Sequence, residues 1–490
     1  MPAAPTHRQP GNGRAYPLVS HTSPDSIIAW HLGQPVTVRH FLADVMRLAA
    51  GLPPGGHIFN VCADRYRFTV GLCAALVAGK ISLLPSTHTP EMVRQLASFA
   101  PDAFCLHDTP DCDIALPRFR VPGFVGQAGA ATLPEPSIPS IPGERVMAYV
   151  FTSGSTGQPV PHRKTWDFLV SNVRAAVARL GLQDGRAYTL VGTVPPQHMY
   201  GFESTVLLAL QGGIALSAAH TFYPADIRNA LDAVPRPRVL VTSPVHLRAL
   251  LRSPARLPPA DLILSATAPL SEKLACEAEA RLAAPLMEIY GSTETGQLAT
   301  RRTAQTSAWE LFPGVRLEAR RQAGGETGGS GAEDRDQDQV WAAGGHVEQP
   351  VSMGDALELL DETRFLLHGR KADLINIAGK RTSLAYLNHQ LNAIEGVEDG
   401  VFFMPDAPPG ERAEGQVRRL LALVVAPRVQ ASQILHALRE RIDPAFLPRP
   451  LLFVDTLPRN ATGKLPHEIL APLVARLQAA RQSQPPGAGA

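Results

Sequence analysis

A chain of 490 residues exceeds what one small hydrophobic core organises, and at ~100–200 residues per domain it implies two to four units. Its 46 Lys and Arg nearly balance 44 Asp and Glu, which removes the electrostatic case for nucleic acid or an anionic membrane as the main partner. Five cysteines (Cys62, Cys73, Cys105, Cys112 and Cys276) form no CxxC pair, as expected of reduced thiols in a cytoplasmic protein.

The first ten residues lack the apolar stretch of a secretory signal, and no run approaches the ~18 apolar residues that span a bilayer. Residues 1–24 are rich in Pro, Gly and His and read as a loose leader. From Ser26 short apolar runs alternate with amphipathic segments, the pattern of α/β units. The run 58–62 precedes an Ala-rich helix expected over 71–78.

The most informative stretch follows the apolar run 146–150. Phe151 is followed by Thr152, Ser153, Gly154, Ser155, Thr156 and Gly157. A strand opening into such a loop turns backbone N–H groups and hydroxyls towards one point, an anion nest suited to polyphosphate. Its glycines allow close approach of the backbone to a ligand. It is not a Walker loop: Lys164-Thr165 could end one, but Gln158 and Arg163 occupy the glycine positions.

Further along, strand 239–242 precedes helix 246–251, and strand 262–265 precedes helix 271–282, with Ser271 as N-cap and Glu272 in the first turn. A second motif runs Glu288, Ile289, Tyr290, Gly291, Ser292, Thr293, Glu294, Thr295, Gly296. Residues 322–338 are glycine- and charge-rich with no hydrophobic period, as in a loop. A third motif joins Gly354-Asp355 to His368-Gly369-Arg370 and Gly379-Lys380-Arg381, and a domain boundary is expected near 369–373. Beyond it stands α+β text: strands 365–368 and 420–425, helices 384–393 and 432–441. The fourth motif, Leu457 to Leu465, contains Thr462-Gly463-Lys464, and a Pro/Gly tail closes the chain.

In this order the four motifs resemble the signature of the adenylate-forming superfamily: acyl-CoA synthetases, peptide-synthetase adenylation domains and luciferases. The resemblance covers roughly residues 25–475. It implies an α/β fold with a large multi-subdomain N-terminal adenylation domain (25–369), a small mobile α+β C-terminal domain (370–478) and a tail (479–490). It implies ATP and Mg²⁺, a carboxylic acid substrate, an acyl-AMP intermediate and a thioester product, made by a monomer or homodimer.

By the resemblance, Thr152, Ser153, Gly154, Ser155, Thr156 and Gly157 cradle the phosphates, and Tyr290 with Gly291 receives adenine. Thr293 meets the α-phosphate, Glu294 holds Mg²⁺, Asp355 binds the ribose hydroxyls and Arg370 the ribose or phosphate. Lys464 bridges the acid carboxylate and the α-phosphate, a task for a point cation. Gly379, Lys380 and Arg381 match the loop that receives the pantetheine thiol. Two positions depart from the pattern. Val160 stands where a lysine usually follows the loop, leaving Arg163 or Lys164 as substitute, and Ala372 stands at the usual hinge residue, with Asp373 next.

The acid pocket is expected from His198, Met199, Tyr200, Gly201, Ala266, Thr267 and Ala268. The segment follows the acyl- and aryl-acid style, and Glu203 falls slightly off the aspartate position of amino-acid-activating relatives. The short chain also looks like compact ligases of aryl-polyene and xanthomonadin-type pigment clusters. That implies a hydroxybenzoate-like acid passed to an acyl carrier protein, with CoA as the alternative acceptor. A non-catalytic nucleotide-binding regulator and an amino-acid adenylation module stand as competing readings.

Overall fold

A computed structural model describes residues 13–85, 87–123, 137–153, 159–320, 339–370, 374–377, 380–405, 420–459 and 465–482. Gly154, Ser155, Thr156, Gly157, Ala372, Asp373, Gly379, Lys464 and the segment 322–338 lie outside them. Two large sheets organise the described residues up to Arg370.

The first sheet orders its strands Pro159–Thr165, Val146–Ser153, Ile81–Leu84, His57–Asn60, Phe104–His107 and Arg118–Arg120. All neighbours are parallel except the outermost pair, where Pro159–Thr165 returns antiparallel to Val146–Ser153. The segment of Gly154 to Gly157 therefore joins the two arms of a hairpin.

The second sheet has at its centre the parallel strands Leu286–Ser292, Leu262–Ser265, Arg238–Thr242, Thr189–Gly192, Ala215–Ser217 and Ile27–His31. Leu262–Ser265 and Thr189–Gly192 are buried at every residue, so their sequences do not alternate apolar with charged residues. Antiparallel strands Gly296–Arg301, Trp309–Leu311, Arg364–Arg370 and Asp355–Leu359 extend one edge.

Several expected boundaries move. The helix expected over 71–78 is Arg65–Val77, started by Asp64, whose carboxylate accepts from Arg67 N–H. The helix after Ser271 is Glu272–Leu282, with Ser271 accepting from Leu274 N–H at 3.3 Å. The strand expected over 365–368 belongs to the large domain, where Arg364–Arg370 pairs with Trp309–Leu311 and Asp355–Leu359. Part of the expected leader is structural. Ala15–Pro17 pairs with Ser140–Pro142, Leu18 N–H donates to the Pro139 carbonyl, and the Leu18 and Val19 side chains are buried in the hydrophobic core.

Past Arg370, strands Asp399–Phe403, Leu421–Val425 and Leu451–Phe453 form a small sheet whose alternation divides two cores. Phe402, Ala422 and Val424 pack on helices Leu384–Asn392 and Ala431–Arg439, while Val401, Phe403, Leu421 and Leu423 face Leu470 and Val474 of helix His467–Gln482. Arg459 grips Asp399 with two hydrogen bonds of 2.8 Å. Arg252, on helix Pro244–Arg252 of the large domain, pairs with Glu398 of the small one at 2.7 Å.

Candidate active site

Ligands of open α/β sheets sit beyond the carboxyl ends of the parallel strands. Those ends carry the expected site residues. Val146–Ser153 delivers Thr152 and Ser153, Leu262–Ser265 delivers Ala266, Thr267 and Ala268, Thr189–Gly192 leads to the segment of His198, and Leu286–Ser292 delivers Thr293 and Glu294.

Thr293 and Glu294 occupy the turn between Leu286–Ser292 and Gly296–Arg301, with Gly296 at φ +69° closing it, a backbone state that favours glycine. Ser292 and Thr295 lock the turn: each backbone N–H donates to the other's hydroxyl, at 3.1 and 3.3 Å. A Cβ on Gly291 would collide with the Gly296 carbonyl, so the motif needs glycine there. The Glu294 side chain stays 44% exposed at the tip. Burial pushes its carboxyl up. Hydrogen bonds from its own N–H and from Ser292, with His162 and Lys164 nearby, outweigh this and hold it below the ordinary range.

An ionised, half-exposed carboxylate is a hard oxygen donor of the kind Mg²⁺ accepts alongside phosphate oxygens and water. Among the described residues no group of three His, Cys, Asp or Glu side chains forms a metal cage. The donor set thus fits a cation that arrives with a nucleotide, with Glu294 as its protein ligand.

The Tyr290 phenol donates to Asp355 Oδ2 at 2.5 Å, and Asp355 stands opposite Arg370 in the strand register. The expected adenine position and the two expected ribose positions thus share one corner. The Tyr290 ring is built into an aromatic cluster, 5.5 Å from Trp309 and 5.4 Å from Phe365. Lys380 and Arg381 begin the strand Lys380–Ser383, which pairs with Leu374–Ile377.

Met199 and Tyr200 are buried in a short helix that His198 precedes. A Cβ at Gly201 would strike the Pro195 carbonyl. The chain continues into a wide, π-helical turn Phe202–Leu207, a form that recurs at functional sites. Arg65 braces this wall: its guanidinium donates to Thr205 Oγ1 at 2.8 Å and to the carbonyls of Gly192 and Val194 at 2.9 Å. Thr267 adopts φ +80°, an outlier for a β-branched residue.

Lys164 does not stand as a solvent-facing cation after the phosphate loop. It is 3% exposed, its ammonium lies 4.1 Å from the Phe168 ring centroid, and it donates to the Glu294 carbonyl at 3.3 Å. Its charge partner is Glu203, 3% exposed; burial pushes the Lys164 ammonium down and the Glu203 carboxyl up, and each attraction opposes that shift. Glu203 is a buried carboxyl within the π-helical turn Phe202–Leu207.

The residue that sequence reading passed over is His162. Its Nε2 lies 2.8 Å from Thr152 Oγ1 and 3.6 Å from Glu294 Oε1. Strand alternation supplied the signal, since Val160, His162 and Lys164 share one face of Pro159–Thr165.

A sequence model described as AMP-binding enzyme matches residues 21–322. The 4-coumarate–CoA ligase of Halorhodospira halophila is 31% identical over 326 residues, spanning 64% of this chain and 73% of that protein. The 4-chlorobenzoate–CoA ligase of an Arthrobacter species is 26% identical over 353 residues, spanning 66% of this chain and 65% of its own length. ATP-bound MatB from Rhodopseudomonas palustris superposes with a TM-score of 0.75 at 19% identity, covering 92% of this chain and 96% of that one. The o-succinylbenzoate CoA synthetase of Bacillus subtilis, bound to its acyl-adenylate, gives 0.73 at 18% identity over 92% and 96%. At these identities the two structures speak for the fold, including the small C-terminal domain.

Proposed function

The chain belongs to the AMP-binding enzyme family and is an AMP-forming acid–thiol ligase; from that premise we propose that it activates an aryl carboxylic acid of hydroxybenzoate type. The carboxylate attacks the ATP α-phosphorus, the bond to the bridging oxygen breaks, and pyrophosphate leaves. A thiol then attacks the acyl carbon, and AMP leaves with the bonding pair. Attack of one anion on another needs neutralisation and alignment more than a protein nucleophile.

The observation that carries the reading is that two contacts gather four expected site residues: His162 stands between Thr152 and Glu294, and Tyr290, four residues before Glu294, bonds to Asp355. In this reading Ser153, Gly154, Ser155, Thr156 and Gly157 cradle the phosphates, Glu294 would hold Mg²⁺, which would supply charge neutralisation, Asp355 and Arg370 anchor the ribose, and Lys464 neutralises the two reacting anions. His198, Tyr200 and Thr267 line the acid's ring.

The relatives named as aryl-CoA ligases support an aryl acid and favour CoA as acceptor. An acyl carrier protein presents the same phosphopantetheine thiol, and Gly379, Lys380 and Arg381 would serve either.

The test is ATP–pyrophosphate exchange against aryl, fatty and amino acids, with Lys464→Ala as control, followed by thioester formation with CoA and with a phosphopantetheinylated carrier protein. Exchange with a hydroxybenzoate, lost in the variant, is the expected result. ATP binding without exchange for any acid would sink the reading and leave a nucleotide-binding regulator.

A further inference from the structure

The strand that returns from the phosphate loop touches Glu294 at two places. On one face of Pro159–Thr165, Lys164 donates to the Glu294 main-chain carbonyl at 3.3 Å, and His162 sets its Nε2 3.6 Å from the Glu294 carboxylate. The same Nε2 lies 2.8 Å from the hydroxyl of Thr152, the residue immediately before Ser153 on the opposite arm of the hairpin. The imidazole is 17% exposed and the Glu294 side chain 44%, so the carboxylate reaches out while its support is sheltered.

We infer that His162 is a positioning residue, tying the first hydroxyl of the phosphate loop to the Glu294 carboxylate and so fixing that carboxylate where it meets a divalent cation carried by the nucleotide. The physical case is that of an outer-shell partner. A metal-binding carboxylate on a hairpin tip has free side-chain torsions, and a neighbour that removes this freedom before the cation arrives raises affinity without touching the metal. Thr152 in turn holds the imidazole, so that the arm leading into the phosphate loop and the turn bearing Glu294 keep a fixed separation. Because no contact to substrate is involved, the effect falls on the cation and not on the acid.

The inference rests on the reading of Glu294 as the cation ligand, and its test uses a binding readout. Mn²⁺ binding to the full chain with ATP is followed by electron paramagnetic resonance, and ATP binding without divalent cation by calorimetry. His162→Ala is expected to weaken Mn²⁺ in the ternary complex about 10–100-fold. ATP affinity in chelator stays within about threefold of wild type, and His162→Gln, which puts a polar atom where Nε2 stood, recovers most of the loss.

Wild-type Mn²⁺ affinity in His162→Ala overturns the inference while leaving the proposed function intact. Absence of Mn²⁺-dependent ATP binding in the wild type overturns both. Should His162→Ala fail to fold, Thr152→Val removes the hydroxyl end of the tie, with ATP affinity in chelator measured beside it and expected within about threefold of wild type, because Thr152 is also an expected phosphate contact. A several-fold loss of Mn²⁺ affinity in that variant supports the inference, and an unchanged affinity overturns it.

Discussion

Tyr290 of the second motif and Asp355 of the third share a 2.5 Å hydrogen bond, phenol to carboxylate. Tyr290 is the buried partner, fixed by Trp309 and Phe365, so it orients Asp355; in the proposed reading the remaining carboxylate lone pairs bind the ribose. Hydrogen bonds to a charged group contribute about 1.5–3 kcal/mol each. Asp355→Ala is therefore expected to lower kcat/KM for ATP by at least about tenfold. Tyr290→Phe keeps the ring packing and is expected to cost less than Asp355→Ala. Steady-state pyrophosphate release at varied ATP separates them; equal losses would mean that the phenol, not the carboxylate, meets the nucleotide.

The Lys164–Glu203 pair makes a prediction about stability. The two groups are buried and attract each other without a direct contact, so removing one is expected to cost less than the about 3–5 kcal/mol of a broken buried ion pair. Lys164→Met is expected to lower the denaturation midpoint, because Glu203 Oε1 has no hydrogen-bond partner among the described residues. Lys164→Met with Glu203→Leu is expected to recover much of the loss. Urea unfolding of the two singles and the double closes the cycle, and additive losses would show that the two side chains do not interact.

Two buried histidines set a pH dependence. Burial lowers His21 and His346 from 6.5 to about 4. In the unfolded chain both bind a proton below 6.5, while the native state refuses it until about 4, so the unfolded state binds more protons in that window. Stability is complete above 6.5 and falls as pH drops towards 4, by up to about 1.4 kcal/mol per pH unit for each histidine. Among the described residues neither His21 ring nitrogen has a hydrogen-bond partner, so His21→Leu is expected to flatten the slope. Urea midpoints at pH 7, 6 and 5 read it directly, and an unchanged slope in the variant would exclude His21 as a contributor.

Much of this organisation was legible because the central parallel strands are buried on both faces and announce themselves as short apolar runs. The runs 239–242 and 262–265 correspond to Arg238–Thr242 and Leu262–Ser265, with Ser271 as the expected cap. The start of Arg65–Val77 was not legible, since it opens with Arg65, Tyr66 and Arg67, polar-looking text whose first guanidinium turns inward to carbonyls some 130 residues away. Strand Pro159–Thr165 was hidden by Pro159 and Pro161, which a hairpin edge tolerates but a central strand does not. Lys164 was expected as a substitute for the loop lysine and Glu203 near the acid pocket, and single residues do not show that both side chains are buried. Motif order pointed to Asp355 and Glu294, but His162 became visible only when the hairpin register set it beside Thr152.

Thr267 combines strain with a place at the acid pocket, and the two effects separate by substitution. A β-branched residue at φ +80° stores about 1–3 kcal/mol, which a protein retains where geometry matters more than stability. Thr267→Gly releases that strain and is expected to leave the denaturation midpoint unchanged or raise it. Thr267→Val keeps the strain and the shape but deletes the hydroxyl. If that hydroxyl pairs with a ring substituent, Val is expected to reduce the preference for a hydroxybenzoate over benzoate by about tenfold, the scale of one lost polar contact. The ratio of the two kcat/KM values, measured beside the urea midpoints, decides between the roles. A ratio unchanged in Thr267→Val, with a midpoint raised in Thr267→Gly, would assign Thr267 to the shape of the strand end and leave ring recognition to His198 and Tyr200.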